Sequence, residues 1–539
     1  MTQAQKNFAY GAAILGAAGL IVKIIGAFYR IPLSNIIGTE GMGYYQLAYP
    51  FYSMLVVVST AGLPSAISKL VAAHIAKGDH VAAHTVFLTA RRILLYLGIG
   101  LAVIMLFMAR PIAALQQTPG ALYPLMAISP ALFFVAMMSA YRGYFQGMQN
   151  MKVTALSQIV EQCGKLAIGL TLAYGLYAWT GRPELGALGA LLGISISEAI
   201  ALVYVVGVYR KKKRSILNLV GPVDTALVKK RFMPVGKQIL LIAVPITLSA
   251  CIMPITGAID SVIVSRVLQS VGYAQPDVTA MYGVLSGMVV PLINMPSVFA
   301  LALYTSLIPS ISASSAGGNV AEVGKKTALG IKLAVFVGLP ATVGFFLLAQ
   351  PIVMLLYRNI TPAELELATG LLRTLSVSVL FLTLGQTMMG ILQGMGKPLL
   401  PMFSLMAGAG AKVAASIALI RMPDVNIYGA AIGTVVCYVI VAVMDGVFVA
   451  KNVRLRADLL NRILKPAIAT AAMGAVALLV YGALGGYSNT AGVLAAVAAA
   501  AVVYVLLLVV LRGFEKDELP LIPGGGKLEK LMIKMKVWK

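Results

Sequence analysis

Apolar runs of helical length recur from one end of the chain to the other, each closed by a short polar or Gly/Pro-bearing break. About 20 such residues carry a helix across a bilayer. The pattern predicts spans near 9–37, 42–68, 86–109, 121–147, 153–180, 185–209, 238–269, 278–311, 327–349, 367–395, 398–420, 426–450, 466–485 and 489–511. The expected fold is therefore an all-α polytopic membrane protein with 14 transmembrane helices. A membrane barrel would show alternating segments of about ten residues, and these are absent from the sequence. Several spans exceed one crossing, which predicts tilt, kinks or projecting ends. Pro32, Pro50, Pro64, Pro130, Pro245, Pro254, Pro291, Pro296, Pro309 and Pro340 interrupt them. Membrane helices accept proline where neighbours satisfy the freed carbonyls, so these are bends made for packing or for movement. The first span lacks the short apolar core and small-residue cleavage site of a signal peptide.

Composition agrees with this assignment. Hydrophobic residues make up 60% of the chain and charged residues 11%, against about 25% charged in a soluble domain. The net charge of +24 would suggest nucleic acid in a soluble protein. Here the charge sorts across the membrane instead. Of the cations outside the spans, Arg110, Arg182, Arg358 and Arg421 fall on one side, and the other 29 fall on the side of the N-terminus. The positive-inside rule then places both termini in the cytoplasm. The basic segment 211–236 reads as a topogenic cluster on anionic lipid, and the tail 513–539 as a basic interfacial segment.

A weak internal repeat divides the chain. GLPSAIS at 62–68 resembles LIPSIS at 307–312, ARPI at 109–112 matches AQPI at 349–352, FQGM at 145–148 matches LQGM at 392–395, and GALLG at 189–193 matches GAAIG at 429–433. The offsets are 245, 240, 247 and 240 residues. Six spans per repeat give two lobes entering the membrane in the same direction, related by a pseudo-two-fold along its normal. The predicted organisation is an N-lobe over 1–210, a basic linker over 211–236, a C-lobe over 237–451, two additional spans within 452–512 and a basic tail over 513–539.

Charge inside the spans supplies the candidate chemistry. Nine cations lie there: Lys23, Arg30, Lys69, Arg142, Lys165, Arg266, Lys332, Arg373 and Lys412. Only Glu161, Glu198, Asp260 and Asp445 oppose them. A cation in hydrocarbon costs roughly 2.5–3.5 kcal/mol on insertion scales, so the surplus predicts a cationic internal cavity and an anionic cargo. Lys23, Gly26 and Arg30 share a helix face by their i, i+3, i+7 spacing, although Arg30 also suits a snorkelling position. Lys165 and Lys412 are separated by the FQGM/LQGM offset and would act as a two-sided clamp. Glu161 and Lys165 equally suit a local i, i+4 salt bridge. Arg142, in YRGYFQGMQN, reads as a headgroup contact or a helix-end cation, and Arg266 joins the substrate candidates. Asp260, Glu161 and Glu198 are the candidates for ion coupling, with Asp445 behind them. Lys69, Lys332 and Arg373 lie nearer span ends and are expected to snorkel.

Enzyme and metal signatures are missing: there is no P-loop, GxSxG or HExxH. His74, His80 and His84 are expected in a solvated loop. Cys163, Cys251 and Cys437 are expected as small core residues, since free cysteine is commonly buried.

VKIIGAFYR in the first span, EGMGYYQLAYP entering the second, GLPSAISKLVA leaving it and RGYFQGMQNMKVTALSQIVEQ at 142–162 together resemble the stage V sporulation protein B family. Those proteins sit among the Gram-positive polysaccharide-export and lipid II flippase-like members of the multidrug/oligosaccharidyl-lipid/polysaccharide exporter superfamily. The resemblance covers nearly the whole chain. It implies two lobes around a cationic cavity, with a lipid-facing groove at the last two helices. It also implies flipping of an undecaprenyl-diphosphate-linked sugar such as lipid II or a spore-cortex precursor. Lys23 stands where related flippases place an arginine, and Arg30 lies near a second. The expected partners are the lipid-linked anionic saccharide, membrane lipids and cell-wall synthesis proteins, without nucleic acid. No cofactor is expected beyond a coupling cation or the membrane potential. The chain departs from lipid II flippases in lacking an acid in GYYQLAYP and an arginine in YGVLSGMVVP. A multidrug/cation antiporter and a non-transporting scaffold for wall or cortex assembly are the alternatives; the repeat argues against an ion channel.

Overall fold

The computed structural model describes residues 3–220, 225–453 and 459–513. Residues 221–224 of the predicted linker, and the predicted tail beyond Gly513, lie outside the described residues. Contacts divide the chain into two compact units, Met1–Met288 and Val289–Lys539.

The first unit contains α1 (Gln3–Thr60), α2 (Leu63–Ala76), α3 (His80–Leu115), α4 (Leu122–Gly147), α5 (Met151–Gly164), α6 (Leu170–Thr180), α7 (Pro183–Val220), α8 (Thr225–Ser270) and α9 (Gln275–Tyr282). Gly38 divides α1 at φ +69°, a left-handed conformation that glycine adopts without steric cost. The break falls between the first two predicted spans. A π turn over Lys165–Gly169 joins α5 to α6, making one interrupted passage of predicted span 5. A second π turn, Gly283–Val289, follows α9.

The second unit continues with α10 (Val290–Asn294), α11 (Ser297–Ala316), α12 (Val320–Leu347), α13 (Ala349–Leu356), α14 (Pro362–Gly394), α15 (Leu399–Ile420), α16 (Tyr428–Asn452), α17 (Leu459–Leu484) and α18 (Asn489–Val510). Side chains close the exposed amides at several helix starts: Asp79 accepts from Ala82 N at α3, and Asn319 from Glu322 N at α12. Thr361 and Glu364 form a reciprocal capping box on α14.

Among the described residues, 13 helical segments are long and apolar enough to cross a membrane. One of them, Ile14–Ala76, holds two passages parted at Gly38. The passage through α5 and α6 is broken by its π turn, and Gln275–Asn294 with Ser297–Ala316 make consecutive pieces of one passage. Counted this way the described residues hold fourteen spans, and the chain is a multi-pass membrane protein.

Close glycine contacts fix the register of the repeat. A methyl added at Gly98 would lie 2.9 Å from Ala136, and one at Gly338 would lie 2.2 Å from Thr383. Gly147 packs on Ser68 O and Val71, and Gly394 on Ile308 O and Ile311. Gly143 meets Pro64 O and Ile67, whereas Gly390 meets Tyr304. Gly193 approaches Gly169, and Gly433 approaches Ser416. Spans 2, 3 and 6 therefore repeat after 240 residues, and spans 4 and 5 after 247. The predicted match of GLPSAIS with LIPSIS is corrected by five residues: Pro64 corresponds to Tyr304, not Pro309. Short apolar-Pro-Ser strings sit on both helices, and the tight contacts, not the proline, set which residues correspond.

The core of the first unit is aromatic. Phe87 stacks on Tyr144 at 4.4 Å, with Tyr141 and Tyr209 at its edges. His84 is buried there, its Nδ1 3.1 Å from Tyr144 Oη. It belongs to the packed interior and not to a solvated loop. Lys332 is likewise corrected: it is buried on α12 over the Phe336 ring, instead of snorkelling, while Lys69 and Arg373 are exposed. Cys437 is buried as expected of a core cysteine, whereas Cys163 is exposed, and no disulfide joins the three among the described residues.

The last two spans, α17 and α18, pack on α12 and α13 through Ala469, Met473, Ala496, Ala500 and Leu508. Tyr504 Oη donates to Phe336 O at 2.9 Å, and Asn489 Nδ2 to Pro351 O at 3.1 Å. Tyr504→Phe removes one buried hydrogen bond. It is expected to cost about 1 kcal/mol, measured as a modest drop in the thermal midpoint of the purified protein.

Candidate functional site

Four charged side chains meet inside the first unit. Arg142 extends from α4, Glu161 lies on α5, Lys165 opens the π turn, and Glu198 lies on α7. Arg142 Nη2 donates to Glu161 Oε2 at 3.1 Å, and its Nε to Ser157 Oγ at 2.9 Å. Lys165 Nζ lies 2.6 Å from Glu161 Oε1 and 3.1 Å from Glu198 Oε1. Gln162 adds a further donor to Glu161 Oε1. The cluster is largely enclosed, and Glu198 is 1% exposed. It contains two cations and two carboxylates, so it carries no net charge. Such a group satisfies itself and is costly to break open.

The close approach of Gly193 to Gly169 explains how this group assembles. Without side chains between them, α6 and α7 run nearly in contact, and Glu198 reaches across to Lys165. The sequence suggested only the Glu161–Lys165 pair. The Arg142–Glu161 and Lys165–Glu198 bonds join residues 19 and 33 positions apart, a spacing with no helical periodicity. Two of the cations assigned to the substrate, Arg142 and Lys165, are thus held by carboxylates.

The α1 candidates behave differently. Lys23 is exposed, and neither Lys23 nor Arg30 forms an ion pair among the described residues. Arg30 is half-buried over the Tyr49 ring at 5.7 Å and donates from Nη1 to Ser286 O at 3.4 Å. That carbonyl lies in the second π turn, and Gln46 Nε2 donates to it as well. Gly26 faces Gln162 of α5, with 3.7 Å to its Oε1 for an added methyl. The predicted face of Lys23, Gly26 and Arg30 therefore runs beside the buried charge cluster.

Other candidates lie apart from these. Asp260 is half-buried on α8, and Arg266, six residues on, is exposed. Lys412 is half-buried on α15 of the second unit. In the repeat register it corresponds to Lys165. Met389, Gly408 and Tyr438 occupy the positions of Arg142, Glu161 and Glu198. A methyl at Gly408 would lie 2.8 Å from Val441 and 2.9 Å from Cys437 O, so α15 and α16 close over the place a carboxylate takes in the first unit.

A polar seam, missed in the sequence, ties α1 and the turn after α3 to α8 and α9. Gln116 Nε2 donates to Leu47 O at 2.9 Å and to Ser261 Oγ at 3.2 Å. Ser265 Oγ donates to Gln116 O at 2.6 Å, and Gln275 Nε2 to Tyr44 Oη at 3.2 Å. Two glycines complete the seam. An added methyl at Gly43 would lie 1.9 Å from Thr279 O, and one at Gly283 would lie 2.0 Å from Thr39 O. The contact is reciprocal: Gly43 and Gly283, like Thr39 and Thr279, are 240 residues apart, as a pseudo-two-fold requires. The signal was present as the Gly43/Gly283 spacing, hidden among many other glycines.

Fourteen helical spans among the described residues, six of them repeated by six more, define a multi-pass membrane protein with charge enclosed within its spans. A family model described as polysaccharide biosynthesis protein matches residues 8–315, and a MatE model matches 245–418. The chain belongs to the polysaccharide biosynthesis protein family, within the superfamily that also holds the multidrug exporters. It is 28% identical to stage V sporulation protein B of Bacillus subtilis (strain 168) over 97% of this chain and 99% of that protein. It is 26% identical to the lipid II flippase MurJ of the same organism over 80% of each chain. The solved inward closed conformation of lipid II flippase MurJ superposes with a TM-score of 0.67 at 14% identity, covering 92% of this chain and 98% of that one. That likeness establishes the fold.

Proposed function

We propose that this protein is a flippase that carries an undecaprenyl-diphosphate-linked sugar, of the lipid II or spore-cortex precursor class, from the inner to the outer leaflet. The observation that carries the proposal is the pair of α1 cations, Lys23 and Arg30, which have no carboxylate partners among the described residues, beside an otherwise neutralised charge cluster. A diphosphate supplies the missing negative charge. Arg30 offers it a planar fork and Lys23 a point charge. One relative, lipid II flippase MurJ, is named for a cargo of the same lipid-linked class.

With both termini cytoplasmic, as the charge distribution predicts, the headgroup enters from the cytoplasm while the isoprenoid tail stays in lipid. The seam around Gly43, Gly283 and Gln116 then lies toward the outer face and must part to release the cargo. Lys412 and Arg266 contribute from outside this cluster as the lobes exchange access. Each elementary charge moved through 100 mV contributes about 2.3 kcal/mol to resetting the cycle. The superfamily's multidrug antiporters favour cationic cargo, for which two unopposed cations on α1 are unsuited.

The test is flipping of fluorescent lipid II, against other polyprenyl-diphosphate sugars, in vesicles containing the purified protein. A hydrogen bond to a charged group contributes about 1.5–3 kcal/mol, so Lys23→Ala/Arg30→Ala should lower flipping at least about a hundredfold at unchanged membrane level. Wild-type flipping rates in the double variant would remove these residues from the mechanism.

A further inference from the structure

Asp445 is held unlike Glu161 and Glu198. It lies on α16 and is fully buried. Ser404 Oγ on α15 donates to its Oδ1 at 2.6 Å, and Oδ2 is enclosed with no hydrogen-bond partner among the described residues. The helices packed against α16 at this level are α14 and α15. Toward it α14 presents Gly385, beside Val441 and Ala442, and Met388, beside Gly446. The charged groups on these elements are Glu364, Glu366 and Arg373 on α14, Lys412 on α15, Lys397 just before α15 and Lys451 on α16 itself. None of them pairs with Asp445 among the described residues. Lys397 bonds Asn452 instead. Lys412 lies about 12 Å along α15 from Ser404 at 1.5 Å per residue.

The fold does not call for an acid here. The 240-residue register of the sixth span places Asp445 opposite Val205, which is fully buried in the apolar core of the first unit. Valine fills the corresponding position without polar partners, whereas a buried charge without a counterion is expensive. A hard metal ion would need roughly six or more oxygens. Asp445 and the one hydroxyl bonded to it provide too few. A proton needs only one carboxylate oxygen, and Oδ1 already faces the Ser404 hydroxyl.

We propose that Asp445 is an exchangeable proton-binding site that couples the second unit to a proton gradient. Ser404 supplies the switch, because Leu400 O lies 3.3 Å from the same hydroxyl. With the proton bound, the carboxylic acid donates to Ser404 Oγ, whose own hydrogen turns to Leu400 O. When the proton leaves to water on the opposite side, Ser404 turns back and donates to the carboxylate. One O–H bond forms and one breaks, and no other reactant takes part. The inference rests on the transport reading and supplies its coupling ion.

Infrared spectroscopy of the full protein in lipid nanodiscs tests the site without any cargo. The wild type should show the carbonyl band of a protonated carboxylic acid that fades in alkaline buffer and returns on acidification. Ser404→Ala should shift that band, and Asp445→Asn should lack it. In vesicles, an imposed proton gradient should speed wild-type flipping of fluorescent lipid II fivefold or more, at the lower end of ordinary coupling of about 1–3 kcal/mol. Asp445→Asn should no longer respond to the gradient. A wild type without a titrating band, or an Asp445→Asn variant that follows the gradient like the wild type, overturns the proposal. If the wild type fails to move lipid II, the cargo assignment falls and the infrared titration alone decides the proton site.

Discussion

A single methyl group placed at Gly43 or Gly283 is expected to slow transport by up to about two orders of magnitude. In Gly43→Ala the new Cβ would sit 1.9 Å from Thr279 O, and in Gly283→Ala 2.0 Å from Thr39 O. Both obstacles are backbone carbonyls inside helices, so neither can rotate away as a side chain would. The two helices must separate. As they part, they draw Tyr44 from Gln275 and loosen Gln116 from Ser261 and Ser265. Overpacking of this kind costs about 1–3 kcal/mol, which shifts an open–closed balance roughly five- to 150-fold. The seam should then stand open, and lipid flipping should fall by a similar factor. A cysteine introduced at Gln275 would report the opening as faster labelling by a membrane-impermeant thiol reagent. Gly100→Ala is the control, because nothing lies within 4 Å of its added methyl. Equal labelling of the Gly43→Ala variant and the control would show that the seam tolerates the methyl and does not govern access.

The seam also shows why part of this protein was legible in its sequence and part was not. Span length and apolarity are one-dimensional quantities, and a helix in lipid satisfies its own backbone. The spans could therefore be read directly, down to the break at Gly38. The repeat was legible from motif spacing, yet one of four matches was out of register. Identity of short strings does not report which helix faces meet, whereas the Gly143 and Gly390 contacts do. Side-chain partnership was the least accessible. Glu161 and Lys165 share a helix face and announced themselves. Glu198 reaches Lys165 only because Gly169 and Gly193 let two helices nearly touch. His84 stood in a polar-looking stretch, but α3 begins at His80 and carries His84 into the aromatic core. Lys332 looked like a cation at a span end, and helix packing enclosed it beside Phe336. In each case the deciding information is which helix lies alongside, which a linear pattern does not encode.

The same distinction separates cations that hold the protein together from those available to a cargo. Lys165→Met is expected to behave as a folding defect, not a transport defect. It removes the cation that lies between Glu161 Oε1 and Glu198 Oε1 and leaves two enclosed carboxylates with only Arg142 to oppose them. Breaking a buried pair from one side costs about 3–5 kcal/mol, a large fraction of the stability of a typical domain. The protein should accumulate poorly and its thermal midpoint should drop sharply. Adding Glu198→Gln removes the stranded charge while keeping nearly the same shape, and should recover much of the loss. Recovery is the informative result, because a lysine needed chiefly by the substrate would not be rescued by neutralising an acid behind it. Lys23→Ala, at an exposed position without an ion pair among the described residues, should leave protein level and thermal midpoint near wild type while lowering flipping. A Lys165→Met protein that accumulates normally yet fails to flip would reverse these assignments and place Lys165 among the cargo-binding groups after all.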